Sequence, residues 1–226
     1  MENTTKSKES MTMRGVPVVI SGPSGSGKGT VVARLVKDYP QFELSISVTT
    51  RAPRAGEENG KHYYFISNEE FEHMRKTDAL LESAGYVGHY YGTPKAPVEA
   101  AVAKGASPLL EIEVQGALQI KARRPDAVLI FLMPPNAEIL KKRLCGRGTD
   151  SAQVVEQRLE RARAEIALCG NYDYIIINEE GAVEQTAQRI AEILRAEQCR
   201  TPRMQSVIEH FFKSEQGGKN NDLSVD

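Results

Sequence analysis

Residues 18–30 read Val-Val-Ile-Ser-Gly-Pro-Ser-Gly-Ser-Gly-Lys-Gly-Thr, and no other stretch of the chain narrows the choice of fold as far. A short β-branched run ends at Gly22, four residues intervene, and Gly27-Lys28 leads into a helical pattern over 29–36. GxxxxGK between a buried strand and a helix is the context that a phosphate-binding loop demands. Gly22, Gly25 and Gly27 admit backbone conformations that a Cβ forbids, so consecutive N–H groups as far as Thr30 turn onto phosphate oxygens at a helix N-terminus. The predicted contacts to a nucleotide polyphosphate are Gly22, Pro23, Ser24, Gly25, Ser26, Gly27, Lys28, Gly29 and Thr30, with Lys28 bridging the outer phosphates. The general pattern carries Ser or Thr after the lysine to hold Mg²⁺, whereas this chain has Gly29. The hydroxyl is therefore displaced to Thr30, or the ion is held through water. Mg²⁺ is expected to arrive with the nucleotide rather than in a metal site of the protein's own.

The rest of the chain alternates short apolar runs with helical patterns. Runs at 16–20, 44–48, 109–112, 128–133 and 174–177 read as buried strands, and 98–104, 115–123, 137–144 and 182–197 as helices. Val155, Leu159, Ala162, Ile166 and Cys169 add an apolar stripe at 4, 3, 4, 3 spacing. This alternation argues an α/β protein with a parallel, doubly wound sheet flanked by helices. The stretch 51–93 breaks the rhythm and reads as an inserted, small mixed or antiparallel subdomain around one helix, with Ser67 and Glu70 as its capping box. The expected organisation is a disordered arm at 1–13, a folded body at 14–212 and a disordered tail at 213–226. Within the body, the core takes 14–50, 94–142 and 154–212, the insertion 51–93 and a lid 143–153.

Lys and Arg (29) balance Asp and Glu (30), for a net charge of −1, so no global basic field suggests nucleic acid or an anionic membrane. The longest apolar run, 128–135, is too short to span a bilayer. Three cysteines without a CxxC pair and four histidines without zinc-ligand spacing argue against a disulfide framework or a transition-metal site. The expectation is a soluble, cytoplasmic protein acting on small molecules, with no nucleic-acid or membrane partner. The sequence is silent on oligomeric state, and a homodimer stays open.

Any anion site must then be local. Arg51 and Arg54 follow a Ser/Thr-rich strand end and read either as a bidentate clamp for a second phosphate or as two solvated surface arginines. Tyr63, Tyr90 and Tyr91 read equally as core aromatics and as ligand platforms. Lys141, Lys142, Arg143, Arg147 and Arg158 form a basic segment around a Gly-Arg-Gly tip.

Six runs in order, GPSGSGKGT, SVTTRAPRAGE (47–57), NGKHYYF (59–65), YYGT (90–93), EVQG (113–116) and RLCGRGT (143–149), resemble guanylate kinase over about 14–200. The two-arginine run is the most specific of them. The resemblance implies a P-loop NTPase core with a GMP-binding subdomain and a mobile lid, converting Mg-ATP and GMP into ADP and GDP. It implies phosphate contacts of GMP at Ser47, Arg51, Arg54, Tyr63 and Tyr91, guanine contacts at Glu82, Thr93 and Glu113, and an adenine-side contact at Asn178. Catalytic roles fall on Lys28, Arg51, Arg147 and Arg158. Glu113 stands where the family usually has Asp. Two rivals are a phosphopeptide-binding module built on the same domain, disfavoured by the intact loop, and a kinase for AMP, disfavoured by a carboxylate at Glu82 that repels adenine N1.

Overall fold

The computed structural model describes residues 14–86, 88–146 and 152–216. The arm at 1–13, the lid residue Arg147 and the tail from 217 lie outside these residues, and so do the expectations attached to them.

In chain order the elements are β1 (Val18–Ser21), α1 (Lys28–Asp38), β2 (Phe42–Leu44), β3 (Val48–Thr49), β4 (Tyr64–Phe65), α2 (Asn68–Lys76), β5 (Leu80–Tyr86), β6 (His89–Pro94) and α3 (Lys95–Ala103). They continue with β7 (Ser107–Glu111), α4 (Val114–Arg123), β8 (Val128–Met133), α5 (Ala137–Cys145), α6 (Ala152–Ala167), β9 (Tyr174–Ile177), α7 (Val183–Gln198) and α8 (Gln205–Gln216). Among the described residues the strands form two sheets, a parallel one of order β2-β7-β1-β8-β9 and a mixed one of order β4-β3-β6-β5.

The continuous apolar runs of β1, β7 and β8 follow from burial on both faces of the parallel sheet. Because side chains alternate along a strand, Val18, Ile20, Leu109, Ile130 and Leu132 pack against α1 and α7. Val19, Leu110 and Leu129 pack on the opposite face with Val98 of α3 and Ala117 and Ile120 of α4. Leu81 of β5 joins this second cluster, which ties the insertion to the core. The second sheet has its own small core of Val48, Phe71 and Leu80 beneath α2. The start of α2 is fixed as its sequence suggests, since Ser67 Oγ accepts from the Glu70 N–H while Glu70 reaches back to the Ser67 N–H.

Two boundaries differ from the sequence expectation. The run at 44–48 is not one strand. The chain leaves the parallel sheet at the half-exposed Leu44, and Val48–Thr49 pairs with Tyr64–Phe65 and with Tyr91–Gly92, so the second sheet takes in residues ahead of 51. Ser45, Ile46 and Ser47, which line a cleft, form the passage between the sheets. Helix α8 runs from 205 to 216 and so crosses the expected end of the folded body at 212.

The carboxyl ends of β1, β2, β7 and β9 all open toward the segments that carry the candidate residues. This is the edge at which ligands bind in open α/β sheets.

Candidate active site

The loop after β1 is shaped by glycines at which a side chain has no room. Gly22 has φ 146°, and a Cβ there would stand 1.9 Å from the Leu132 carbonyl oxygen. Gly27 caps α1 in the left-handed region at φ 91°, with the Asn178 amide 2.5 Å from where its Cβ would be. The first turn of α1 is thereby aimed into the loop with its N–H groups unspent. Lys28 Nζ donates to the carbonyls of Gly22 (2.6 Å) and Pro23 (3.2 Å), which holds the ammonium at the loop's mouth. Ser26 is fully buried and its Oγ has no hydrogen-bond partner among the described residues.

Opposite the loop lies a cleft of about 410 Å³ between the two sheets, within the range of small-molecule sites. Lys28, Ser47, Arg51, Arg54, Tyr63, Glu82, Tyr91 and Glu113 all line it. Arg51 is held on every side. Its two terminal nitrogens fork onto Glu57 at 2.8 and 2.9 Å, its Nε donates to the Tyr91 hydroxyl at 3.3 Å, and its guanidinium lies 5.5 Å from the Tyr63 ring centre. Glu57 also accepts from the Arg54 backbone N–H at 2.7 Å. The Arg51 fork, followed by that backbone bond, pulls the Glu57 carboxyl down to about 2, while Glu57 raises the Arg51 guanidinium above its ordinary value. The Arg54 side chain is exposed and makes no hydrogen bond or ion pair among the described residues, so Arg51 is fixed in its orientation at the cleft and Arg54 is not.

At the other end of the cleft, Glu82 of β5 is 5% exposed. Its Oε1 accepts from the Thr93 hydroxyl at 2.8 Å. Its Oε2 lies 2.7 Å from where a Cβ of Gly116 would be, so only glycine on α4 lets the carboxylate settle against that helix. Burial pushes Glu82 up to about 7 against the Thr93 hydrogen bonds, with the Glu113 charge adding to the rise.

Three expected residues take positions that differ from their expected contacts. Thr93 is buried behind Glu82 and orients it, outside the cleft lining. Asn178 is 3% exposed with both ends of its amide engaged. Its Nδ2 donates to Ser26 O (2.9 Å) and its Oδ1 accepts from Thr186 (3.1 Å), so it braces the phosphate loop from behind instead of facing a base. Glu113 caps α4 at the cleft wall, but its carboxylate is bound by Arg161 at 2.7 Å. Arg158 of α6 donates to Ser24 Oγ on the loop.

Several residues that shape the cleft stand in or beside the runs quoted above, but their roles are not legible there. Glu57 acts through its fork with Arg51 and its bond from the Arg54 N–H. Glu111, at the end of β7, faces the loop across 3.7 Å from the position of a Gly29 Cβ, and its carboxyl is held above its usual range by desolvation, with Lys28 opposing. Arg143 ties the loop to the end of β9 through Asn178 O at 2.9 Å. Gly116 carries a further mark, since glycine inside a helix costs about 1 kcal/mol relative to alanine and needs a reason.

Fold and cleft together define a P-loop α/β protein built to hold a nucleotide polyphosphate facing a second phosphorylated ligand. The family model for guanylate kinase matches residues 14–197. The chain is 52% identical over 202 residues to the guanylate kinase of Streptococcus thermophilus (strain CNRZ 1066), covering 89% of this chain and 94% of that protein. It is 50% identical over 201 residues to the guanylate kinase of Lactococcus lactis subsp. lactis (strain IL1403), covering 89% and 96%. Among solved structures, the guanylate kinase of Anaplasma phagocytophilum superposes with a TM-score of 0.69 at 40% identity, over 84% of this chain and 90% of that one. The chain belongs to the guanylate kinase family.

Proposed function

We propose that this protein transfers the γ-phosphoryl group of ATP to GMP, giving ADP and GDP, in cytoplasmic purine nucleotide metabolism. The observation that carries the reading is the buried Glu82 at one end of a cleft whose other end is the Arg51–Glu57 clamp, with the phosphate loop across from both. Guanine offers N1–H and N2–H₂ donors side by side, which one carboxylate accepts together, and Thr93 and Gly116 hold Glu82 in place to do so. Arg51, Arg54, Ser47, Tyr63 and Tyr91 grip the acceptor phosphate. Recognition is thus built on the base edge and the phosphate, so dGMP is expected as a second acceptor.

In the transfer, Lys28 and the loop N–H groups hold the donor phosphates, and Arg158 adds charge as negative density spreads over the migrating group. Arg147 is assigned the same task from the sequence alone. The acceptor is a phosphate with a second pKa near 6, so it is largely anionic at neutral pH and needs no general base. The Thr30 hydroxyl in the first turn of α1 and the Glu111 carboxylate beside Gly29 are hard oxygen donors that would hold Mg²⁺ arriving with the nucleotide. When bound, it neutralises phosphate charge.

The test is coupled ADP production with GMP, dGMP, AMP, CMP and UMP as acceptors. GMP and dGMP should support turnover far above the other three. Equal rates with AMP and GMP would defeat the assignment of Glu82.

A further inference from the structure

Arg161 is the residue whose surroundings the reaction above leaves unexplained. It lies on α6 three positions after Arg158, so the two share a helix face. Its guanidinium donates to Glu113 Oε2 at 2.7 Å, sits 4.9 Å from the centre of the Tyr86 ring and donates to Glu165 at 3.1 Å. Glu113 belongs to the core and Tyr86 to the inserted sheet, and both line the cleft. One helix therefore holds the phosphate loop through Arg158 and Ser24 and, one turn later, both walls of the base pocket through Arg161. The Arg161 and Glu113 side chains are 46% and 54% exposed, and an ion pair so wet contributes little to folding stability. Stability does not account for the arrangement, but geometry does. An arginine bonded to one wall and lying over an aromatic ring of the other fixes the distance between them.

We propose that Arg161 is a positioning residue that couples the two nucleotide sites, so that occupancy of the base pocket favours occupancy of the phosphate loop and the reverse. The inference rests on the GMP reading of the cleft. Any nucleotide that orders Glu113 and Tyr86 also orders α6, and α6 presents Arg158 to the loop. The coupling is reciprocal by linkage.

The experiment is an equilibrium titration of the full chain with GMP, with and without a saturating Mg-bound, non-hydrolysable ATP analogue. For the wild type, GMP should bind at least about fivefold more tightly with the analogue present, the lower end of usual coupling. Arg161→Ala should bring that ratio close to one while GMP affinity without the analogue moves less than about threefold, a split that loss of fold would not produce. Tyr86→Leu should lower the ratio as well, and Arg161→Lys, which keeps the charge but cannot bond Glu113 and Glu165 while covering the Tyr86 ring, should fall between. These two variants carry the test if Arg161→Ala fails to fold. A ratio unchanged in Arg161→Ala, a wild-type ratio of one, or a loss of GMP affinity well beyond that limit of about threefold by Arg161→Ala without the analogue would each overturn the inference and leave the GMP reading standing. A wild-type chain that binds no GMP would overturn both.

Discussion

On the proposed reading, the phosphate loop and the arginine clamp would receive the same chemical group in opposite ways. The loop is made of backbone, with N–H groups at the start of α1, glycines that no other residue replaces, and a brace of Asn178 and Arg143 behind it. The clamp is made of side chains, with Arg51 fixed by Glu57, Tyr91 and Tyr63 beside a small sheet whose own core is built on Val48, Phe71 and Leu80. A backbone site is general for polyphosphates and rigid because it is part of the main core. A side-chain site is specific, and it tolerates no change of fork geometry even when charge is kept. The two should therefore fail differently when perturbed.

The largest effect is expected on the side-chain half. Glu82→Gln places an amide donor against a guanine donor, and kcat/KM for GMP should fall by about 10² to 10⁴, the scale for leaving a buried polar group unpaired. Turnover at saturating GMP should fall less, because the base edge lies away from the reacting phosphate. The ratio of AMP to GMP activity should rise, since the amide pairs with adenine. An unchanged ratio would put Glu82 outside the base pocket. On the backbone half, Lys28→Ala should lower kcat by at least about 10² while GMP affinity holds. Steady-state kinetics with a GMP titration checks both parts, and near-normal GDP formation would remove the loop from the mechanism.

A smaller loss separates the two anion sites directly. Arg51→Lys keeps the charge but cannot fork onto Glu57, and GMP should bind about 10- to 100-fold more weakly, the worth of one or two charge-assisted hydrogen bonds. Guanosine, which lacks the phosphate, should bind unchanged. Calorimetry with both ligands decides it, and equal losses would show that Arg51 does not hold the phosphate.

The same contrast governs how much could be read from the sequence. Backbone sites announce themselves, because glycine spacing, lysine and an apolar strand occur in one continuous run, and a strand buried on both faces appears as an unbroken apolar stretch at 128–133. Side-chain sites are assembled across the chain. Glu57 lies six residues from Arg51 in a loop, a separation with no periodicity to mark it, and Arg161 meets Glu113 from 48 positions away. The passage of the chain from one sheet to the other at 45–47 is hidden because Leu44-Ser45-Ile46-Ser47-Val48 continues a polar/apolar alternation across it. Asn178 stands at the expected strand end, and only three-dimensional packing shows its amide engaged by Ser26 and Thr186.

The smallest predicted effect is a pH dependence that belongs to the side-chain site alone. Burial raises Glu82 to about 7, so near neutral pH the free protein holds this carboxyl partly protonated. Guanine's two donors require the carboxylate, and they favour the charged form in the complex. Below pH 7, binding must therefore release a proton, and affinity falls as pH falls. Above 7 the group is already ionised and affinity levels off. From the ionised fractions on either side of 7, guanosine should bind about tenfold more weakly at pH 6 than at pH 8. Guanosine is the ligand to use, because the second ionisation of the GMP phosphate near 6 would add its own slope through the clamp. Glu82→Gln has no carboxyl to titrate and should give a weak but flat profile between the same limits. A slope that survives in that variant would assign the proton to another group, and a flat wild-type profile would mean that the carboxylate is not what meets the base.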